Sequence, residues 1–457
     1  MMLLQLSSLN AIQSVYELYK YVHDKGKHSS HNHHFLNKKK RKKVTFMTLM
    51  AADNDLAHFS RKNLTQQSNI GSNEHINIIT QLDTRTAGNV KITKRYYIEK
   101  NKLIVMNSND PASQHMDSGD PETLISFCTW GIENFPAEYY VLVLWNHGTG
   151  IIDLGKPRAI NPSELFNFNP MNNLIELDRS IPFLEYMNAQ DERGVCFDDT
   201  TGHYLTNQKL EYALHTICTK VLKGKKFGII AFDACLMSMI EVANIVKDYA
   251  DIMVASQEVE LGTGYAYDSM LTPFLTTAPD APAFAKHMVS AYGQTYNKIT
   301  NDYTQSAITL SHMNALEHNI NALASTLLEC LKKQHGTSVR DAIKASRHKL
   351  LCTHFDEPSY IDYHHFCTNL YNSVERLQFT HEQEGNELKQ TLKQQLLEAM
   401  KLTQNAVLEN IVGKNLTQAK GLSIYFPERR LHNSYKHTNF AKQNQWATFL
   451  TAYLLSL

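Results

Sequence analysis

Two apolar runs in this 457-residue chain each stop on residues able to do chemistry. Residues 140–145 lead into Asn146-His147-Gly148-Thr149-Gly150, and residues 227–232 lead into Asp233-Ala234-Cys235. Short, continuous apolar runs read as parallel strands buried on both faces, and open α/β sheets gather functional residues at the carboxyl ends of such strands. If the two strands are neighbours, an imidazole and a thiol meet at one sheet edge. That is the minimum equipment for a cysteine nucleophile with an acid–base partner. Each residue alone has a duller explanation: a strand-end Cys is commonly a small buried hydrophobe, and His-Gly commonly a turn. The glycines flanking Thr149 and the acid two residues before Cys235 bring the two readings level.

The surrounding pattern supplies elements to hold such a pair. Residues 44–50 and 76–82 read as strands, 96–98 with 103–106 as a hairpin, and 121–133 as a helix feeding the His strand. Residues 207–222 read as a helix with Leu210, Leu214, Ile217 and Val221 on one face, feeding the Cys strand. Residues 236–250 read as the helix after Cys235, with Met239, Val242, Val246 and Tyr249 towards the sheet, and 252–256 as the next strand. Alternating strands and helices predict an α/β fold with a mostly parallel sheet covered on both faces. A helix starting directly after Cys235 would favour a thiolate there through its dipole. Residues 276–420 are largely helical by pattern, notably 315–333 and 382–412. Residues 421–426 read as a buried strand returning to the main sheet, and 446–455 as a closing helix. Residues 150–195, between the His and Cys strands, are Asn- and Pro-containing and weakly patterned, as expected of a surface insertion.

Several motifs, in order, give the pair a context. They are residues 49–56 with their Asp53-Asn54-Asp55 turn; Gly119-Asp120-Pro121-Glu122-Thr123-Leu124, then Phe127 and Phe135-Pro136-Ala137; and Phe197-Asp198-Asp199 with Tyr204-Leu205-Thr206. Residues 256–267, Tyr360-Ile361-Asp362-Tyr363 and residues 421–427 follow. Together with the two strand ends, the chain resembles the clostripain family of cysteine peptidases, in the clan of caspases, legumains and gingipains, over about residues 44 to 453. The resemblance implies a caspase-like three-layer sandwich. It divides the chain into an N-terminal helix and His/Lys-rich linker (1–43), a peptidase core (44–275) and a helix-rich region (276–457) that returns one strand to the core.

The resemblance also implies an endopeptidase cleaving after Arg, secondarily Lys. Cys235 would be the nucleophile. His147 would protonate the leaving amine and then activate the deacylating water, without needing to touch the thiol at rest. The N–H groups of Gly148 and Cys235 would form the oxyanion hole, Gly148 because it has no Cβ to keep the substrate carbonyl away. Asp233 shares a strand face with Cys235 and would bind the P1 guanidinium, with the alternative of a purely structural acid. Glu258 and Glu260 would line the same pocket, one of them more plausibly solvated. Two departures from the family pattern, Gln257 in place of an acid and Ile151 in place of an aromatic, bear on the depth of that pocket. Maturation by self-cleavage within 150–195 is implied, with Lys156, Arg158, Arg179 and Arg193 as basic candidates. No cofactor is needed for the chemistry. Ca2+ is an open option through Asp53, Asp55, Asp198 and Asp199, for which turn and cap roles are the simpler account.

Composition excludes other classes. Lys plus Arg and Asp plus Glu both number 45, so the zero net charge gives no global field for nucleic acid. Seven cysteines lack framework spacing, which argues for reduced thiols. No apolar run approaches the roughly 18 residues of a membrane span. Residues 1–22 read as a helix without the basic start of a secretory signal. Five histidines precede the basic run Lys38, Lys39, Lys40, Arg41, Lys42 and Lys43, which reads as a solvated linker or as a contact for an anionic surface. Expected partners are protein or peptide substrates with a basic P1. A soluble protein secreted by a bacterium is compatible with all of this, but nothing fixes the compartment. Two rivals stand beside the peptidase reading: a clan relative with another P1 choice, which Asp233 argues against for acidic P1, and a non-catalytic scaffold on the same fold.

Overall fold

Alternation along the first strand sets the architecture. Val44 and Phe46 pack into one hydrophobic cluster, Met47, Leu49 and Ala51 into another, so each face of the strand meets its own helical layer. The computed structural model describes residues 41–86, 88–152, 165–179, 194–332, 336–379 and 381–457. The expected helix and linker up to residue 40, and Lys156, Arg158 and Arg193, lie outside the described residues.

The strands in chain order are β1 (Lys42–Ala51), β2 (Ile76–Arg85), β3 (Lys91–Glu99), β4 (Lys102–Val105) and β5 (Ala137–Trp145). Then come β6 (Phe166–Asn169), β7 (Leu174–Leu177), β8 (Val195–Asp198), β9 (His203–Leu205), β10 (Phe227–Asp233) and β11 (Ala250–Ala255). The last are β12 (Thr304–Thr309), β13 (Tyr360–Asp362), β14 (Val407–Val412) and β15 (Ser423–Tyr425). Nine of these form the main sheet in the order β14-β12-β11-β10-β5-β1-β2-β3-β4. Its five central strands are parallel, and the two outer strands on each side run antiparallel. One face is covered by helices that include Ala57–Ile70, Tyr267–Leu271 and Ala281–Tyr296. The other is covered by Pro121–Asn134, Asn207–Thr216, Ile240–Val246 and Met313–Lys332. The fold is a caspase-like α/β sandwich with a mostly parallel sheet.

Local chemistry starts the two helices that deliver the key strands. Asp120 caps Pro121–Asn134 by accepting the Glu122 N–H, with proline at the first turn, and Thr206 caps Asn207–Thr216 by accepting the Lys209 N–H.

Several expectations need correction. The helix expected over 236–250 forms only as Ile240–Val246. Leu236 takes a left-handed backbone (φ 64°), and the chain then runs beside the 256–258 segment before the helix can start. The helix over 207–222 widens into a π turn at Ile217–Val221. Two strands, not one, return from beyond residue 275: β12 and β14, at the antiparallel edge. The strand expected at 421–426 forms as β15 but pairs with β13 in a separate two-stranded sheet. The 150–195 insertion is not merely a surface loop. Its residues 165–179 carry the β6–β7 hairpin, and Leu165 and Leu177 are buried in the main core. The end of the basic run belongs to the fold. Arg41 Nε donates to Ala137 O (2.9 Å), Lys42 Nζ to Ile76 O (3.2 Å), and Lys43 pairs with Glu138 (2.8 Å). Burial pulls Lys42 down to about 8, which argues against a free cationic patch at these three positions. No helix among the described residues is long and apolar enough to cross a membrane.

Candidate active site

Strand register brings the two reactive residues together. β5 and β10 are parallel neighbours with Trp145 opposite Asp233. Two residues further along each strand come His147 and Cys235. The Asn146 N–H donates to Asp233 O (3.2 Å), so pairing continues past the strand ends. Asn146 also clamps the edge: its Nδ2 donates to Ala51 O (2.5 Å) and its Oδ1 accepts the Phe197 N–H (2.9 Å). His147 and Cys235, 8% and 6% exposed, line one cavity of about 30 Å3. That holds a water or two and no peptide.

His147 has a partner that sequence reasoning had assigned elsewhere. Its Nε2 lies 2.8 Å from Asp55 Oδ1. A carboxylate oxygen at that distance assigns the ring proton to Nε2. The turn holding Asp55 is fixed by Asn54, whose Nδ2 donates to Ala51 O and Phe197 O and whose Oδ1 accepts the Leu56 N–H. The signal was present: an Asp-Asn-Asp turn at the carboxyl end of the strand beside β5.

Cys235 is less exposed to a helix dipole than expected, because the following helix starts at Ile240. Its Sγ accepts the Glu260 N–H (3.2 Å), which favours a thiolate. Burial dominates and pushes the thiol pKa up, and the nearby carboxyls of Glu260, Asp356 and Glu258 push it further. In this closed arrangement the thiol is protonated. Gly148 lies against the Cys235 backbone: a Cβ there would sit 2.4 Å from Cys235 O and 3.0 Å from Ala234 Cβ. The glycine is required by that approach.

The three acids expected in a P1 pocket are all buried, so none is solvated. Asp233 accepts the Tyr265 N–H (3.0 Å) and the Tyr267 O–H (2.7 Å), and it hydrogen-bonds Glu260. Gly264 (φ 57°) roofs it so closely that a Cβ would lie 2.5 Å from Asp233 Oδ1. Burial raises both Asp233 and Glu260, so the pair retains a proton. Asp233 and Glu260 line the cavity with the dyad candidates. Glu258 sits apart from it: its Oε1 accepts the Asp356 and Val259 N–H groups (2.9 Å each), and its Oε2 takes Arg179 (2.7 Å). Neither family departure touches the cavity. Gln257 bridges Asp362 and Gly421, and Ile151 is a core residue.

Three of the four acids weighed for calcium face cations or His147 instead. Asp53 pairs with Arg85 and Lys91, Asp198 with Lys91, and Asp55 with His147. Carboxylates so paired do not fit a calcium cage, and no group of three or more His, Cys, Asp or Glu among the described residues could hold a metal ion.

A wall of the dyad cavity comes from the insertion, through Leu165 and Phe166. The hairpin is tied down by Ile175 N–H to Ile299 O (2.7 Å), by Leu177 N–H to Asp302 Oδ2 (3.4 Å) and by Arg179. The Arg179 guanidinium meets Glu258 (2.7 Å) and Asp302 (3.4 Å).

A histidine and a cysteine at adjacent parallel strand ends of a caspase-like sheet are the arrangement that a cysteine-peptidase site would need. The model of the clostripain family matches residues 48–168 and 182–453, and the chain belongs to that family. It is 25% identical to the clostripain of Hathewaya histolytica over 256 residues, 51% of this chain and 42% of that protein. The match thus spans less than half of the relative's length. Among solved structures, a secreted cysteine protease from Bacteroides thetaiotaomicron with an irreversible peptide inhibitor is 17% identical. The alignment covers 89% of this chain and 98% of that one, with a TM-score of 0.54. An inactive zymogen protease from Parabacteroides distasonis is 18% identical, with 90% and 99% covered and a TM-score of 0.55. At those identities the likeness is one of fold.

Proposed function

We propose that the protein is a cysteine endopeptidase that cleaves after basic residues, Arg before Lys, with Cys235 as nucleophile and His147 as its acid–base partner. The observation that carries this reading is the β5–β10 register, which sets the two residues on one shared cavity. The thiolate attacks the scissile carbonyl, and the resulting oxyanion is met by the Gly148 and Cys235 N–H groups. His147 donates a proton to the leaving amine as the C–N bond breaks, giving a thioester. It then takes a proton from water as that water attacks the thioester, and the C–S bond breaks to release the acid and return Cys235 as the thiolate. Asp55 is a positioning residue, fixing the imidazole orientation. Asp233 and Glu260 supply the anionic end of the P1 pocket. A P1 guanidinium displaces the proton they share and pairs with the carboxylates.

The form described is closed. A cavity of about 30 Å3 under Leu165 and Phe166 admits no substrate, which supports maturation by cutting within 150–195 and release of the β6–β7 hairpin. A buried, protonated thiol is also what a non-catalytic scaffold would carry, so the rival reading needs its own outcome. The test is hydrolysis of fluorogenic peptides with P1 Arg, Lys, Asn or Asp by wild type and Cys235→Ala, before and after limited proteolysis, with calcium or chelator. Arg cleavage lost in the variant is expected. No cleavage under any condition, with Cys235 no more alkylatable than the other thiols, refutes the peptidase reading in favour of the scaffold.

A further inference from the structure

A groove of about 540 Å3 adjoins the dyad cavity and has no role in the chemistry above. We propose that it receives a large apolar side chain of the substrate, aromatic or leucine-like, from one of the two residues immediately upstream of the scissile residue. The proposal rests on the peptidase reading and extends it to a second specificity site.

Direction follows from the reaction. His147 serves the leaving amine, so the downstream half of a substrate lies on its side. The acyl half crosses Cys235 and passes over Asp233 and Glu260. The chain next meets Gly264, Gly262 and Leu261, which border both the dyad cavity and the groove. Gly262 keeps this floor low: a Cβ there would sit 2.4 Å from the Phe59 ring. Among the described residues the groove is lined mainly by Phe59, Phe166, Phe168, Leu261, Tyr296 and Ile299, with no Asp or Glu in the lining. It is therefore not a second site for a basic residue, and Lys62 and His58 at its wall disfavour one. Phe59, Leu261, Tyr296 and Ile299 belong to the scaffold rather than to the insertion. The site therefore keeps most of its walls when the hairpin is freed.

The test uses the processed enzyme and acetylated tripeptide coumarins with P1 Arg, carrying Phe, Leu, Gly, Asp or Lys at each of the two upstream positions. At one of them, Phe or Leu should exceed Gly roughly 10- to 100-fold in kcat/KM, as expected for burying one large side chain. Thr295→Trp fills the groove from the helix Ala281–Tyr296, and Gln66→Trp fills it from the opposite wall. Either should bring the Phe substrate down to the Gly rate while leaving the Gly substrate within about twofold. Using two walls guards against one variant misfolding. Arg cleavage with a flat upstream profile, or a preference that survives both substitutions, overturns the groove and spares the peptidase. No Arg cleavage at all overturns the peptidase and this occupant with it.

Discussion

Arg179→Ala should open the dyad cavity of the uncut chain. The side chain reaches from the end of the β6–β7 hairpin to Glu258, whose carboxylate is fully buried. Removing one partner of a buried, hydrogen-bonded ion pair costs about 2–5 kcal/mol. Arg179 itself is 38% exposed, so water already screens it and about 1–2 kcal/mol is the defensible share. The remaining ties include two backbone N–H bonds, one of them long at 3.4 Å, the Ile175–Thr300 bridge, and the packing of Leu165, Phe166 and Leu177. These keep the hairpin docked on average. At about 1.4 kcal/mol per tenfold, the open population should rise about 5- to 30-fold. The assay is alkylation by iodoacetamide near neutral pH, read by peptide mapping, with His147→Ala in both chains to prevent self-cleavage. All seven cysteines are buried, so background labelling is slow. Cys235 labelling should accelerate 5- to 30-fold in the Arg179→Ala chain, and Arg179→Lys should fall between. Equal rates within a factor of two would show that the pair does not hold the cover.

Other perturbations have equally definite outcomes. Asp55→Asn removes the anion that orients His147, and kcat on an arginyl substrate should drop about 10- to 100-fold with KM changed less than about threefold. A parallel rise in KM would argue against a purely positioning role. Gly148→Ala drives a Cβ into the Cys235 carbonyl, and it should cost about 1–3 kcal/mol in denaturant unfolding and roughly 100-fold in kcat/KM. Unchanged kinetics would remove Gly148 from the site. Glu241, buried beside Tyr425 and Tyr435, is raised by burial to about 7 from a usual value of 4.5. The folded state therefore binds a proton that the unfolded state has lost between those values, and the contribution present below about 4.5 is lost as pH rises through 7. Glu241→Gln keeps the acceptor and cannot ionise, so its stability relative to wild type should improve by about 2–3 kcal/mol from pH 4.5 to pH 8. A difference independent of pH would contradict the burial argument.

What the sequence revealed depended on where each signal originates. β5 and β10 are buried on both faces, so their apolar runs declare them, and the residues that follow land at the shared edge. The helix after Cys235 misled because Leu236–Ala250 has a helical pattern. Only tertiary pairing, Leu236 N–H to Glu258 O and Ser238 N–H to Ser256 O, holds its first turn extended. β14 follows directly on the helix Glu382–Ala406 with no Gly or Pro between them, so nothing local marks the change. The strand at 423–425 was visible, but its partner was not, since residues 421–427 are equally apolar towards either sheet. At the cavity, the positions of Cys235, His147, Asp233 and Glu260 were legible from type and spacing, whereas Glu258 turned away to Arg179. Asp55 and Arg179 were visible as residues, but their contacts span 92 and 79 positions and follow from the fold alone.

The sheet order carries one more consequence. Strands β4, β3, β2, β1 and β5 all precede the insertion, and β10, β11, β12 and β14 all follow it. A cut in the insertion would divide the main sheet at the β5–β10 ladder, with His147 on one piece and Cys235 on the other, and contacts such as Asn146 to Phe197, Asn63 to Thr263 and Lys91 to Asp198 would hold the pieces together. Catalysis by His147 and Cys235 would then be a property of assembly. Two inactive cut enzymes, one lacking the imidazole and one the thiol, would restore each other by exchanging halves.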